Sequence, residues 1–298
     1  MSDTMVRSSL RVVPTGAALG ADIEGVDIAR CGDAAFAEIE RAWQNHLVLR
    51  LGGQQLDDVQ LMRFSARFGL LDRVPVRAAG TVMAHDPRLD IAPEASEYVT
   101  VISNAKIDGK AIGALGNSEA QWHTDMSYNE QPPTASVLYA IEVPKSGGNT
   151  SFANMYLAYE TLPADVRARI DGKFCIHDAS RNSAGELRRG FDEVTDASKV
   201  VGAQHPIART HPVTRRKALF LGRRRNAYIA GLEVVESEAL LDALWAHATQ
   251  PSLTWTQVWK AGDLLIWDNR CTLHRRDEFP DNVSRIMHRT QICGDTPF

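Results

Sequence analysis

Apolar positions recur at helical spacing in only a few stretches of this chain. Phe36, Ile39 and Trp43 predict a helix from Asp33, read as its N-cap, to about His46. Leu61, Phe64 and Phe68 predict a second over 57–68, ended by Gly69. A helix pair is expected over 156–170. Another helix is expected over 237–249, where Leu240, Leu241, Leu244 and Trp245 recur. Elsewhere, short apolar runs are bounded by turn residues, which is the pattern of strands. They fall within 10–28 and at 48–51, 99–104, 135–143, 150–153, 174–177, 218–222, 253–260, 264–268 and 284–292. Asp108-Gly109 marks a hairpin between two of the shortest runs. Many short strands with a few helices outside predict a mainly β protein with flanking helices, a β-sandwich or jelly roll. Residues 70–98 carry Pro75, Pro87 and Pro93 and hold no period. A loop that long is functional or mobile. Together with 106–120 it is expected to form an active-site lid.

Composition narrows the class. The chain has 298 residues, 44% apolar and 23% charged, which excludes disorder, collagen and coiled coil. Its length allows two average domains or one decorated β domain; a single domain over 1–298 is expected. A chain this size buries about three-quarters of its unfolded surface, so it needs no metal or disulfide merely to fold. Thirty-three basic residues against 37 acidic ones leave a net charge of −4, without the basic excess that grips a nucleic-acid backbone. Cys31, Cys175, Cys271 and Cys293 form no CxxC pair. There is no GxGxxG and no GxxxxGK[ST], so dinucleotide and P-loop folds have no support. The first residues lack the apolar run of a signal peptide, and no stretch reaches the length of a membrane span. A soluble cytoplasmic protein with no membrane or nucleic-acid partner is expected, and a homo-oligomer, dimer or tetramer, is the expected assembly.

The chemistry concentrates around Gln121-Trp122-His123-Thr124-Asp125. On a strand, side chains alternate, so His123 and Asp125 point to one side. They supply two ligands of a facial metal site. His274, 151 residues later, supplies a third. Two histidines and one carboxylate leave coordination positions open, as non-haem Fe(II) oxygen chemistry requires. The same donors also suit zinc with a bound water, so a metal hydrolase stays open. So does a catalytically silent β-helix binding protein. Arg285 and Arg289 lie four residues apart on one predicted strand, with α-carbons roughly 13 Å apart on one face. Two arginines turned into a sheet interior are costly unless they meet anions; on an edge strand they would simply be solvated. The other histidines have no ligand-like partners in sequence and read as structural or surface groups.

Several segments carry a family resemblance. They are Trp122-His123-Thr124-Asp125, Gly147-Gly148-Asn149-Thr150-Ser151-Phe152, Trp267-Asp268-Asn269-Arg270, Thr272-Leu273-His274-Arg275, and Arg285 with Arg289. In order and spacing the chain resembles the taurine dioxygenase family of Fe(II)/2-oxoglutarate-dependent dioxygenases, which includes phenoxyalkanoate dioxygenases. The resemblance runs from Gly20-Ala21-Asp22-Ile23 to Arg289. It implies a double-stranded β-helix with outer helices. It also implies that His123, Asp125 and His274 bind Fe(II), that Thr150 and Arg285 hold the distal carboxylate of 2-oxoglutarate, and that Trp267 lines that pocket. Arg289 would sit near the cosubstrate and the acidic group of the prime substrate. The implied reaction takes O2, releases succinate and CO2, and hydroxylates a C–H bond. With Asp125 present no halide position is left, so hydroxylation is the default outcome. The chain departs from taurine dioxygenase at the substrate end. The family's sulfonate-binding histidine falls at Val74, its neighbouring tyrosine at Arg77, and an asparagine at Glu119. Taurine is therefore not the implied substrate. Glu119 is a candidate amine-binding carboxylate, or merely a solvated one. Gly222-Arg223, with Ala227 and Ile229, resembles the same segment of aryloxyalkanoate dioxygenases, which makes Arg223 a candidate contact for a small carboxylate or sulfonate.

Overall fold

The computed structural model describes residues 10–74, 86, 88–116 and 120–298. Two sheets pack face to face. The larger has eight strands, in the order Arg11–Pro14, Ala21–Glu24, Val48–Leu51, Leu264–Asp268, Ala135–Glu142, Ile286–Ile292, Thr100–Ser103 and Ala114–Leu115. The smaller has four, in the order Thr254–Gln257, Thr150–Asn154, Thr272–Arg276 and Ala120–His123. Most neighbours are antiparallel; Ala21–Glu24 with Val48–Leu51 and Thr100–Ser103 with Ala114–Leu115 are parallel.

The central strands of the large sheet are apolar on both faces because both faces are covered. Leu265, Trp267, Leu138 and Met287 turn inward towards the small sheet and join Phe152 and Leu273. Leu264, Ile266, Val137 and Ile292 turn outward beneath α1 (Asp33–His46) and α2 (Asp58–Ser65). Phe36, Ile39 and Trp43 of α1 and Leu61 and Phe64 of α2 fill that outer layer. Asp57 closes α2 with a capping box to Gln60. The cap of α1 is Gly32, one residue before the expected Asp33, which sits in the first turn instead. Three further helices, α3 (Met155–Glu160), α4 (Ala164–Ile170) and α5 (Val234–Ala248), follow. α5 starts one turn before the predicted Ser237. The buried Ser237 hydroxyl lies within the helix and accepts the Ile229 N–H at 2.9 Å.

Polar contacts fasten the last strand to the outer helices. His288 Nδ1 lies 2.6 Å from Asp58 Oδ1, and Thr290 donates to Ser65 at 2.6 Å. The expected lid falls in part on 75–85, 87 and 117–119, outside the described residues. The neighbouring stretch at 88–98 is tied to the outer face: the Ala92 N–H donates to Asp58, and the Arg88 carbonyl meets His288 Nε2.

Beside the outer layer lies a buried polar knot. Asp268 accepts bonds from Arg270 Nε at 2.8 Å and Arg270 Nη2 at 2.7 Å, and from His211 Nε2 at 3.1 Å. Burial alone would raise the Asp268 carboxyl; Arg270 and His211 hold it far below the carboxylate range instead. Removing that one charge strands a buried guanidinium. Asp268→Asn should therefore lower unfolding free energy by about 3–5 kcal/mol in a urea titration. An unchanged midpoint would mean that Arg270 finds another counter-charge.

Candidate active site

The small sheet assembles the metal-type donors. Strand Ala120–His123 pairs with Thr272–Arg276 in a register that sets His123 directly opposite His274. The two rings lie 4.2 Å apart, centroid to centroid. The strand carrying His123 stops there, two residues short of the alternation expected through Asp125. The chain turns at Met126, with φ +45, and the Thr124 N–H is taken by the Gly222 carbonyl. Asp125 nevertheless comes back to the histidines. Its Oδ1 lies 3.6 Å from His123 Nε2 and 3.8 Å from His274 Nε2.

Each group is prepared for ligation. The His123 Nδ1–H donates to the Gln121 carbonyl at 2.7 Å, so the lone pair sits on Nε2, facing Asp125. Burial, reinforced by the neighbouring His123, pushes His274 down to about 3, so its imidazole is neutral at working pH. Burial would raise the Asp125 carboxyl, but the fields of His274, His123 and Arg289 hold it well below the usual range. Its other oxygen accepts Ser136 Oγ–H at 2.7 Å. All three donor atoms lie within 4.8 Å of one another. Two imidazoles and a carboxylate at these separations fit three adjacent positions around one divalent ion with bonds of about 2.1 Å.

The opposite end of the same cavity is cationic. Thr150 Oγ1 accepts the Trp259 indole N–H at 2.9 Å, which frees its own proton for a ligand. Arg285 is 2% exposed, and no carboxylate among the described residues comes within 4 Å of its guanidinium. Burial pushes it down to about 9, still charged at neutral pH. Trp267 forms one wall. Its indole donates to Asn269, and Asn269 donates to Ser136, so a hydrogen-bond chain runs from the wall to Asp125. Arg289 Nη1 lies 3.7 Å from Asp125 Oδ1. The irregular register between the last strand and Ala135–Glu142 skips Ile141 on the partner strand, so the arginine strand keeps its period of two. Arg285 and Arg289 both line the cavity as expected.

His123, Asp125, His274, Thr150, Trp267, Arg285 and Arg289 are thus brought together. Val74 is not among the lining residues; its N–H bonds the Glu97 carbonyl at 2.8 Å. Glu119 and Arg77 lie outside the described residues. Arg223 is followed in sequence by Arg224, and the two go separate ways. Arg224 pairs with Glu238 and Asp242 of α5, whereas Arg223 bridges to His123 through the backbone. The Arg223 guanidinium donates to the Arg181 carbonyl at 2.6 Å and lies 5.4 Å from the Tyr128 ring. Ser136, Asn269, Trp259 and Arg276 were not foreseen as site residues. For Arg276 a signal existed, since it follows His274 by two in a strand; the other three are set by tertiary packing.

His211, Asp268 and Cys271 form a second group of potential donors. It is saturated: His211 Nδ1 accepts two backbone N–H groups, from Val213 and Thr214, and Nε2 faces Asp268. Neither nitrogen has a lone pair to offer a metal.

This architecture of two facing sheets, with an open two-histidine, one-carboxylate centre between them, defines an oxygenase scaffold. The chain matches the family described as taurine catabolism dioxygenase TauD, TfdA family over residues 11–291. It is 32% identical to the (S)-phenoxypropionate/alpha-ketoglutarate-dioxygenase of Delftia acidovorans, over 97% of each chain. It is 31% identical to the alpha-ketoglutarate-dependent sulfate ester dioxygenase of Pseudomonas putida, over 97% of this chain and 91% of that one. Among solved structures, AAD-2 in complex with Mn(II) and N-oxalylglycine superposes with a TM-score of 0.75 at 31% identity, covering 97% of this chain and 99% of that one. The chain belongs to the TauD/TfdA family, and its fold is the family's jelly roll. It is a 2-oxoglutarate-dependent dioxygenase that works with Fe(II) and O2.

One metal per chain is expected. Mn(II) titration followed by electron paramagnetic resonance should give a single site that Asp125→Ala abolishes. Cys271→Ser, in the saturated cluster, should leave the stoichiometry unchanged. Loss of half the bound metal in Cys271→Ser would show a second centre.

Proposed function

We propose that this enzyme hydroxylates a small carboxylate or sulfonate, with His123, Asp125 and His274 holding Fe(II). The observation that carries the substrate class is the position of Arg289, on the metal side of the cavity beside Asp125. Charge supports it. Among the described lining residues, Arg276, Arg285 and Arg289 face one carboxylate, Asp125. A divalent ion and dianionic 2-oxoglutarate cancel each other, so the loaded site stays positive and favours an anionic substrate. The phenoxypropionate and sulfate-ester relatives, named for acidic compounds, support the same class.

The division of labour follows from the geometry. Fe(II), once bound, would activate O2, the oxidant for decarboxylating 2-oxoglutarate to succinate and CO2 and for hydroxylating the C–H bond. Thr150, through its free hydroxyl proton, and Arg285, through its guanidinium fork, hold the distal carboxylate. Ser136, fixed by Asn269 and through it by Trp267, keeps Asp125 turned towards the histidines. Arg289 steers the acid group of the substrate to the metal side. Where the hydroxylated carbon bears a heteroatom, the product breaks down to a carbonyl compound and a leaving group. Arg223 is bridged to His123 only through the backbone and is not among the residues lining the cavity, so the substrate contact rests on Arg289.

A panel of small molecules should separate by charge when succinate formation is measured. Carboxylates and sulfonates should trigger turnover; their amides and neutral isosteres should not. With the best acid, Arg289→Gln should raise the substrate KM by roughly 10- to 150-fold and leave 2-oxoglutarate consumption uncoupled from product. Equal turnover of an acid and its neutral isostere would end the acidic-substrate proposal.

A further inference from the structure

Arg276 stands apart from the roles given so far. It follows His274 by two residues in the Thr272–Arg276 strand, so both side chains leave the same face. On the neighbouring strand its Cα partner is Thr150, which prepares a hydroxyl for an anion. Its side chain lines the same cavity as Thr150 and Arg285 and is 6% exposed. Its charge also reaches Arg285, whose guanidinium is destabilised first by burial and then by Arg276. Two like charges held in one dry pocket repel, and an anion between them turns that repulsion into attraction on both sides. A carboxylate has about four lone-pair positions, enough for two guanidiniums and one hydroxyl.

We propose that Arg276 is a second guanidinium for the distal carboxylate of the cosubstrate, and that with Arg285 it makes the pocket select dianionic keto acids over monoanionic ones. This rests on the cosubstrate pocket proposed above. It adds a specificity-determining residue to that pocket. The competing role is structural: the Arg276 guanidinium also lies 5.4 Å from the Phe279 ring, a packing contact that needs no ligand.

The two roles separate by ligand. Mn(II)-loaded protein would be titrated calorimetrically with N-oxalylglycine, a dianion, and with 2-oxobutyrate, which chelates the metal in the same way but lacks the distal carboxylate. Arg276→Gln should weaken N-oxalylglycine by about 10- to 100-fold and leave 2-oxobutyrate unchanged. Arg276→Lys, which keeps the charge, should recover part of the loss. A variant that weakens both ligands alike would assign Arg276 to packing and overturn the proposal. So would a variant that binds N-oxalylglycine as the unaltered protein does. If the unaltered protein itself failed to bind N-oxalylglycine, the cosubstrate pocket would fall, a different failure read in a different sample.

Discussion

The antiparallel pairing of Ala120–His123 with Thr272–Arg276 is the contact on which the rest of the site depends. It sets His123 against His274, which lies 151 positions further along the chain. Because side chains alternate along a strand, a slip of one residue would send one imidazole to the opposite face and dissolve the donor set. On its other edge Thr272–Arg276 pairs with Thr150–Asn154, and that register puts Arg276 beside Thr150. The two edges of this one strand therefore order the cavity along its length, from the metal-type donors at His274 to the cationic end at Arg276. The large sheet completes it from the other side by presenting Arg285, Arg289 and Trp267.

That arrangement puts stability and function in opposition. Arg285 is buried without a counter-ion among the described residues, and burial lowers its affinity for a proton. At Arg285 the pocket thus holds positive charge that no carboxylate among the described residues pairs with. The apolar layers compensate: the strands Leu264–Asp268 and Ala135–Glu142 bury side chains on both faces, and the outer helices seal the large sheet. An anionic ligand then relieves a strain that the scaffold was able to carry. The cavity is preorganised for charge, and a neutral ligand of the same shape would recover none of the desolvation cost.

Much of this was legible in the chain because period two survives wherever a strand is regular. It set Arg285 and Arg289 on one side, and the skipped Ile141 lies on the partner strand, where it does not disturb them. His123 and Asp125 were paired by the same rule, although the strand ends at His123 and a turn at Met126 does the final placing. The period also held the clue to Arg276, two residues after His274. Ser136 gave no such clue: one hydroxyl in an apolar strand looks incidental until Asp125 and Asn269 are seen on either side of it. Trp259 likewise acquires meaning only through Thr150. The start of α5 at Val234 gave no clue either, because Glu233 before it makes no side-chain cap bond.

The chain also shows why residue type alone does not define a metal site. His123, Asp125 and His274 form one group of close donors, and His211, Asp268 and Cys271 form another, both buried. The difference lies in which lone pairs remain free. In the first, the backbone takes only Nδ1 of His123, and both Nε2 atoms face one carboxylate oxygen. In the second, two backbone N–H groups occupy Nδ1 of His211, and Nε2 carries the proton given to Asp268. Arg270 already satisfies the Asp268 carboxylate from one side. Burial pushes the Cys271 thiol well above its ordinary range, which keeps it protonated and a poor ligand. The same three kinds of side chain thus make an open donor set in one place and a closed structural knot in the other. Hydrogen-bond saturation decides between them, and it is settled by the partners each imidazole finds in the folded chain.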